Sequence, residues 1–426
     1  MPKRRVHTHM KYLSKLFIVL IVFVAFFVAY KVLNRAPDVP GQASSRLLWK
    51  IQSVDTMKFS RDLAREKLND KAFEATIAQQ VKQIADTGAT HVAVGTPYEE
   101  EFVPFLAKWV DAARQNNIKV WFRGNLAGWE GWFSYPKIST NEHTAEVVSF
   151  ITKHPELFSD GDIFTSCPEC ENGGPGDPRM TNDVASFRSF LISEHNSVVA
   201  AFKRSNKNVL VGLYSMNGDV AKLTMDPETT KALGGYVSVD HYVQTPEQLS
   251  ADIEALVKSS GGKVVLGEWG APIPDINGKM TDEQQADWIS AALSNLSQVK
   301  GLVGLNYWTG YGSSTAIWTA QGEPRPAVSL LTGYYKPVVV SGSVVNEIDN
   351  MIEGAEVKTA LSQARSDSRG RFTLTFTPAD KTVTVRAAGY DTQVLDASQI
   401  GDHIVLVKSR ENVLFRFAKF LKNLQK

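Results

Sequence analysis

The sequence predicts an α/β protein in which a (β/α)8 barrel, or TIM barrel, lies between an N-terminal transmembrane helix and a small C-terminal all-β sandwich. Three observations give this prediction. An almost unbroken apolar run lies between Leu16 and Leu33. From residue 46 to 336, short β-rich runs alternate with longer segments of helical periodicity. Beyond residue 336, apolar and polar residues alternate between turn residues, with no room for helices.

Residues 1–35 are predicted to be a cytoplasmic basic tail followed by a transmembrane signal anchor. The apolar run, with Lys31 as its only charge, is close to the length that spans a bilayer. Basic residues and no acidic residue precede it, and by the positive-inside rule they keep the N-terminus cytoplasmic: Lys3, Arg4, Arg5, Lys11 and Lys15. A cleaved signal peptide is the alternative, because the strongest part of the run is only as long as such a peptide's apolar core. Either interpretation places the bulk of the chain outside the cytoplasm.

The barrel is predicted over residues 46–336, after a linker at residues 36–45 that is rich in Pro, Gly, Ala and Ser. Candidate strands lie at residues 48–53, 91–96, 119–125, 162–166, 209–215, 236–242, 263–269 and 302–308. Helical segments lie between them, at residues 73–86, 101–115, 145–153, 184–203, 246–259 and 282–296. This number of strands and helices in about 290 residues matches a (β/α)8 barrel. A doubly wound open sheet is the alternative, disfavoured because no strand is followed by a glycine-rich phosphate loop.

Residues 337–408 are predicted to form a small antiparallel β-sandwich. The segments Asp367 to Phe372 and Ala387 to Tyr390 resemble the carboxypeptidase regulatory-like domain family. That resemblance implies a spacer or docking role without catalysis. Residues 409–426 are predicted to be a basic amphipathic helix, which either lies on a membrane or docks on a neighbouring domain.

The charge and the cysteine content of the chain limit which partners and cofactors are expected. The 46 basic and 45 acidic residues leave a formal net charge of +1, so nucleic acid is not an expected partner. The two cysteines, Cys167 and Cys170, exclude a disulfide-rich scaffold and a four-cysteine zinc site. Their C-x-x-C spacing lies in a glycine-rich loop without nearby histidines, so no metal and no other cofactor are expected. In an oxidising compartment, a local disulfide bond is the preferred interpretation.

Carboxylates are expected at the ends of two barrel strands, where reactive groups of this fold project into the loops. In strand 7 the alternation of Val264, Leu266 and Glu268 predicts that all three face the core, with Glu268 at the mouth. Strand 4 runs into a Pro- and Gly-rich loop that carries Glu169 and Glu171. Two carboxylates that face each other across a site are what retaining glycoside hydrolysis requires.

The barrel segment resembles the large clan of (β/α)8 retaining glycoside hydrolases, the cellulase and mannanase superfamily, whose catalytic glutamates end strands 4 and 7. The resemblance covers residues 46–336 and is most specific at Gly-Glu-Trp-Gly, around Glu268, and at Trp308 of strand 8. It implies that Glu268 is the nucleophile, Glu169 the acid/base and Trp308 the aromatic floor. The clan has Asn before its acid/base, whereas this chain has Pro168 there, which leaves Glu171, followed by Asn, as the alternative.

Further side chains at the strand ends are expected to bind substrate. The clan has an arginine after strand 2, which this chain lacks, so Arg123 on strand 3 is expected to steady the nucleophile instead. In place of the clan's His-x-Tyr on strand 6, this chain has adjacent His241 and Tyr242, with Asp240 in phase with Tyr242. The expected substrate-binding set is Arg123, Asn125, Trp129, Asp240, His241, Tyr242, Asn306 and Trp308.

The sequence therefore predicts a membrane-anchored, extracytoplasmic glycoside hydrolase that cleaves a polysaccharide or oligosaccharide with net retention. Because Pro168 interrupts the acid/base motif, a barrel that only binds glycan is one alternative. A cell-surface scaffold, in which the β-sandwich and the basic terminal helix recruit partners, is another.

Overall fold

The computed structural model describes residues 48–409 of the chain. They form two compact units: residues 48–338 with Thr375–Lys381, and Val339–Leu374 with residues 382–409. The predicted anchor and linker and residues 410–426 of the predicted terminal helix lie outside the described residues. Between residues 48 and 409, no helix combines the length and the apolar character needed to cross a bilayer.

Eight parallel strands form the sheet of the first unit. Neighbouring strands follow chain order, and β8 pairs with β1, so the sheet runs β4-β3-β2-β1-β8-β7-β6-β5. The segment before β5 meets β4 at Leu210, whose N–H donates to Asp162 O at 2.8 Å and whose carbonyl accepts from Phe164 N–H at 2.9 Å. The sheet therefore curls into the predicted TIM-barrel-like arrangement, with all carboxyl ends at one mouth. The strands are β1 Ile51–Asp55, β2 His91–Val94, β3 Lys119–Phe122, β4 Ile163–Phe164, β5 Ser215–Asn217, β6 Tyr236–Asp240, β7 Lys263–Trp269 and β8 Leu302–Tyr307.

Helices cover the outside of this sheet, and capping side chains set several of their starts. The predicted segments at residues 73–86 and 282–296 match α3 and α13 residue for residue. Thr281 and Gln284 form a reciprocal capping box at the start of α13. The helices are α1 Met57–Ser60, α2 Ala64–Lys67, α3 Phe73–Asp86, α4 Val103–Gln115, α5 Ala127–Glu130, α6 Thr140–Lys153, α7 Pro178–Thr181, α8 Val184–Arg204, α9 Gly218–Thr224, α10 Pro227–Ala232, α11 Pro246–Ser260, α12 Pro274–Asn277, α13 Asp282–Leu296 and α14 Pro326–Tyr335.

Strand 5 departs from the prediction of residues 209–215. The regular strand is Ser215–Asn217, and Leu210 forms an isolated bridge with Ile163. Gly212 lies between them with a φ of +92°, and a Cβ there would lie 2.4 Å from Leu233 O. This left-handed residue bends the chain, so the apolar run does not continue as one extended strand.

The barrel interior has an apolar layer at one end and a polar layer toward the mouth. The side chains of the apolar layer are Ile51, Ala93, Trp121, Ile163, Leu213 and Val265. Alternate residues of the same strands point outward and form a larger core with the helices, as Val54 and Val92 do. The polar layer carries the candidate functional residues.

A bulge in β7, and not simple alternation, turns Glu268 into the barrel. The prediction that Val264 and Leu266 face the same side as Glu268 is wrong, because both pack outward against the helices while Val265 lies in the inner layer. The pairing of β6 with β7 shifts by one residue before Glu268. The extra residue is Gly267, which also faces inward.

The second unit contains two small sheets that enclose a core of its own. One sheet has the order β11-β10-β13-β14 and the other β12-β9-β15. The prediction of a wholly antiparallel sandwich is wrong in one detail, because β9 and β15 pair in parallel. Its strands are β9 Val338–Asn346, β10 Glu356–Lys358, β11 Gln363–Arg365, β12 Arg371–Phe376, β13 Thr382–Arg386, β14 Gln393–Asp396 and β15 His403–Leu406.

The change Gly267→Ala is expected to lower the free energy of unfolding by about 1–3 kcal/mol through overpacking. A Cβ at this position would lie 2.0 Å from Ser215 Oγ and 2.5 Å from Asp240 Oδ1. Thermal unfolding followed by circular dichroism measures the effect as a lower Tm. Gly401→Ala is the control, because a Cβ there meets nothing within 4 Å. An unchanged Tm for Gly267→Ala would contradict the packing of the bulge.

Candidate active site

Arg123 lies at the centre of the polar layer, and its guanidinium has no exposed area. Nη1 donates to Asp55 Oδ2 at 2.7 Å and to Glu268 Oε1 at 3.1 Å. Nη2 donates to Ser215 Oγ at 3.0 Å and lies 3.3 Å from Asp240 Oδ2. Burial opposes the charge of Arg123, but the three carboxylates outweigh that effect and raise its pKa. A permanent cation therefore contacts the carboxylate that it was expected to steady.

Glu268 is 9% exposed, and both of its carboxylate oxygens have a donor. Oε1 accepts from Arg123, and Oε2 accepts from Tyr242 OH at 2.8 Å. Burial raises the pKa of Glu268 to about 7; Arg123 and Tyr242 oppose this shift, while the charges of Glu169 and Asp55 add to it. Near neutral pH, the ionised and protonated forms of this carboxyl therefore coexist.

Asn306, near the end of β8 and next to β7, fixes the backbone of the bulge. Its Nδ2 donates to Gly267 O at 2.8 Å and to Asp55 Oδ2 at 2.9 Å. Asp55 Oδ1 in turn accepts from Met57 N–H at 2.6 Å. The ends of β1, β7 and β8 are thereby held together directly beside Glu268.

Arg123, Asp240 and Asn306, all predicted to bind substrate, are 1%, 4% and 0% exposed. Each is hydrogen-bonded within the cluster around Arg123 and so supports Glu268. Burial raises the pKa of Asp240 well above its usual value, and the charge of Glu268 adds to the shift although Arg123 opposes it.

Glu169, in the loop after β4, is partly exposed and adopts a left-handed φ of 49°. Its N–H donates to Ser215 O at 2.6 Å, and its Oε2 accepts from Asn172 Nδ2 at 3.3 Å. The negative charge of Glu169 contributes to the raised pKa values of Glu268 and Asp240. This carboxylate therefore acts electrostatically on the buried cluster from the side of the loop.

Two further carboxylates lie around Glu169. Glu171 is 5% exposed; its Oε1 accepts from Asn217 N–H at 2.7 Å, and its Oε2 is buried without a partner among the described residues. Burial raises the pKa of Glu171 to about 7, against the Asn217 hydrogen bond, with a contribution from the charge of Glu169. Burial and Glu169 likewise raise the pKa of Glu130, at the end of α5, to about 7. Sequence reasoning missed Glu130, although its place in the loop after β3 was a signal.

A disulfide between Cys167 and Cys170 closes the turn that carries Glu169. Trp129 lies beneath this loop: it is 0% exposed, and its Nε1 donates to Cys170 O at 3.2 Å. Its ring stacks on Phe190 of α8, with centroids 5.3 Å apart. In this structure the ring of Trp129 is buried and supports the loop, and its binding of substrate stays a prediction.

Asn125 and His241 were also expected to bind substrate, and neither faces the site. Asn125 is 1% exposed. His241 turns toward α11, where its Nε2 lies 2.9 Å from Asp252 Oδ2. Both side chains are thus held by helices, Asn125 by His143 of α6 and His241 by Asp252 of α11, and their binding of substrate stays a prediction.

Aromatic side chains remain accessible beside Glu268. Trp308 and Tyr242 are partly exposed and meet edge to face, with ring centroids 6.0 Å apart. Trp132, in the loop after β3, is also partly exposed and has the guanidinium of Arg61 4.6 Å above its ring. Flat apolar faces next to buried carboxylates are suited to bind a sugar ring.

Comparison with known proteins gives distant structural likenesses only. No family model and no curated protein matches the chain. A β-glucuronidase of an uncultured Clostridium sp. is 14% identical, with a TM-score of 0.43, over 62% of this chain and 47% of that one. A Parabacteroides merdae β-glucuronidase is 12% identical, with a TM-score of 0.44, over 86% of this chain and 49% of that one. Fungal β-1,4-galactanases are represented at 15% identity and a TM-score of 0.45, over 67% of this chain and 99% of that one. The chain thus spans about half the length of the β-glucuronidases, and its function has to be argued from its own residues.

Proposed function

We propose that this protein is a glycoside hydrolase that cleaves a polysaccharide or oligosaccharide with retention, with Glu268 as nucleophile and Glu169 as acid/base. One observation carries the proposal. A nearly buried carboxylate at the end of β7 is held by Arg123 and Tyr242, and a second carboxylate in the loop after β4 is close enough to raise its pKa. Retaining hydrolysis needs this pair of groups.

In the proposed first step, a carboxylate oxygen of Glu268 bonds to the anomeric carbon. The bond from that carbon to the leaving oxygen breaks, and the leaving oxygen takes a proton from Glu169. In the second step, Glu169 removes a proton from water, whose oxygen displaces Glu268 from the anomeric carbon. Arg123 and Tyr242 donate to the Glu268 oxygens, which favours the ionised form that must attack.

Glu171 is the alternative acid/base, and a specific observation favours it. A general acid must be protonated at the working pH, and burial raises the pKa of Glu171 to about 7. Two observations favour Glu169 instead. Oε1 of Glu171 is held by the N–H of Asn217. The loop residue whose charge raises the pKa of Glu268 is Glu169. Glu169 therefore remains the assignment, and the kinetic test below separates the two.

We also propose that the enzyme works outside the cytoplasm, anchored by its N-terminal apolar segment. The five basic residues before the apolar run support this orientation. The disulfide between Cys167 and Cys170 is consistent with an oxidising compartment.

The change Glu268→Ala is expected to abolish turnover on any glycan that the wild type cleaves, because the attacking atom is lost. Azide should restore activity and give a glycosyl azide of inverted anomeric configuration, since it occupies the space of the missing carboxylate. Product stereochemistry measured by NMR checks this outcome. Glu254→Ala, at an exposed position of α11, is the control and should keep full activity. Full activity of Glu268→Ala would refute the assignment of the nucleophile. If the wild type binds several glycans but cleaves none, a glycan-binding barrel is favoured.

The change Glu169→Ala is expected to slow hydrolysis of aryl glycosides with poor leaving groups by roughly 10²- to 10⁴-fold, and those with good leaving groups far less. The proton matters only when the leaving oxygen needs it. The ratio of kcat/KM for phenyl and 2,4-dinitrophenyl glycosides measures this dependence. Glu171→Ala is the matched variant. If it alone shows the dependence, Glu171 is the acid/base and the assignment of Glu169 is wrong.

The acid limb of the kcat/KM profile is expected near pH 7, because Glu268 must be ionised and its pKa lies at about 7. Tyr242→Phe removes a donor that stabilises the ionised form, so the pKa rises and the acid limb moves to higher pH, by roughly one unit. Tyr307→Phe is the control, since Tyr307 OH donates to Thr315 O on the outer side of β8. A limb that stays in place in Tyr242→Phe would contradict the role of this hydrogen bond.

A further inference from the structure

A buried acid and a buried histidine lie behind the loop that carries the candidate acid/base, outside the cluster around Arg123. Glu194 of α8 and His143 of α6 are both 0% exposed, and Glu194 Oε2 lies 2.7 Å from His143 Nδ1. Glu194 Oε1 accepts from Ser166 Oγ at 2.5 Å. Neither residue contacts the sugar site or takes part in the proposed steps. A carboxylate sealed in the interior is costly unless its partners compensate it, so its contacts require an explanation.

Hydrogen bonds fix the orientation of this pair. Asn125 Oδ1 accepts from Leu126 N–H at 2.7 Å, which identifies it as the oxygen of the amide. His143 Nε2 lies 2.8 Å from the same oxygen and must therefore donate. On the other side of the ring, Nδ1 lies 2.7 Å from Oε2 of Glu194. Glu194 and His143 thus form a buried, hydrogen-bonded acid–histidine pair between α8 and α6.

Two contacts join the acid–histidine pair to the loop after β4. Ser166, which donates to Glu194, directly precedes the disulfide-closed turn that begins at Cys167. On the other side, the ring of Trp129 lies against the His143 ring, with centroids 4.4 Å apart, and its Nε1 donates to Cys170 O. The pair is therefore linked to both cysteines that flank Glu169, to Cys167 through the Ser166 hydroxyl and to Cys170 through the Trp129 indole.

We propose that Glu194 is a positioning residue that sets the place of the acid/base carboxylate by holding this loop. The proposal deepens the proposed function and rests on it for its catalytic part. It holds for either candidate acid, because Glu169 and Glu171 lie on the same loop. Replacing the Glu194 carboxyl group weakens its hydrogen bonds to Ser166 and His143. The loop then moves, while Glu268, held by Arg123 and Tyr242, stays in place.

Asp162 provides a matched control at the opposite end of the same strand. It is 0% exposed and bonded to Arg114 Nη1 and to Val120 N–H, each at 2.9 Å. Asp162→Asn therefore also removes a buried charge next to β4, but at the end away from the mouth. A general loss of stability should affect both variants, whereas displacement of the loop should affect Glu194→Gln alone.

The experiment compares the full-length protein with Glu194→Gln, Ser166→Ala and Asp162→Asn in two measurements. Hydrogen exchange should show the amides of Glu169 to Asn172 exchanging about tenfold faster in Glu194→Gln, the usual effect of losing a charge-assisted hydrogen bond. The kcat/KM ratio between 2,4-dinitrophenyl and phenyl glycosides should rise by a similar factor. Ser166→Ala should shift both in the same direction, and it decides the matter if Glu194→Gln does not fold. Asp162→Asn should change neither.

The two measurements separate this proposal from the proposed function. If the wild type cleaves no glycoside, the hydrolase assignment fails, and faster exchange still identifies Glu194 as the residue that holds the loop. Unchanged exchange overturns the proposal whatever the activity. In an active enzyme, faster exchange with an unchanged leaving-group ratio also overturns it, because the loop would then move without displacing the acid.

Discussion

A single buried guanidinium organises the mouth of the barrel. Arg123 is enclosed by carboxylates from β1, β6 and β7, and each carboxylate loses hydration that one shared cation restores only in part. The hydration that is not replaced accounts for the raised pKa values of Glu268 and Asp240. The charge of Glu268 adds to the raised pKa of Asp240, so a change in the protonation of the proposed nucleophile also affects this neighbour.

The side chain of Glu268 points into the barrel because of Gly267, a residue without a side chain. Regular alternation in β7 would send Glu268 outward with Leu266, and the bulge at Gly267 reverses this. Gly267 leaves the space that Ser215 and Asp240 occupy, and Asn306 fixes its carbonyl. Orientation by a backbone irregularity is more rigid than orientation by rotamer choice, because the neighbouring strands hold both sides of the bulge.

Local signals in the sequence predicted the six longest helices and most strands of the barrel, because caps and periodicity act over a few residues. The shorter helices were not predicted. The local signals placed Glu268 inside the barrel correctly but for the wrong reason, since alternation cannot reveal a bulge. Burial of Trp129 depends on α8 and on the loop after β4, and the direction of His241 depends on α11. Such contacts join distant parts of the chain and have no local pattern. The positions of Glu169 and Glu171 were predicted, whereas the raised pKa of Glu171 follows from burial that only the fold creates.

The contacts between the β4 and β5 ends of the sheet, here called the joint, also affect the mouth of the barrel. Lower in the barrel, Leu210 bridges this joint with two backbone hydrogen bonds. Higher up, the acidic loop itself spans it, through Glu169 N–H to Ser215 O and Asn217 N–H to Glu171. The loop thus spans a joint at which β4 and β5 share no regular strand pairing. A ligand broad enough to widen this joint would carry both loop carboxylates away from Glu268, so the width of the cleft and the separation of its carboxylates would change together.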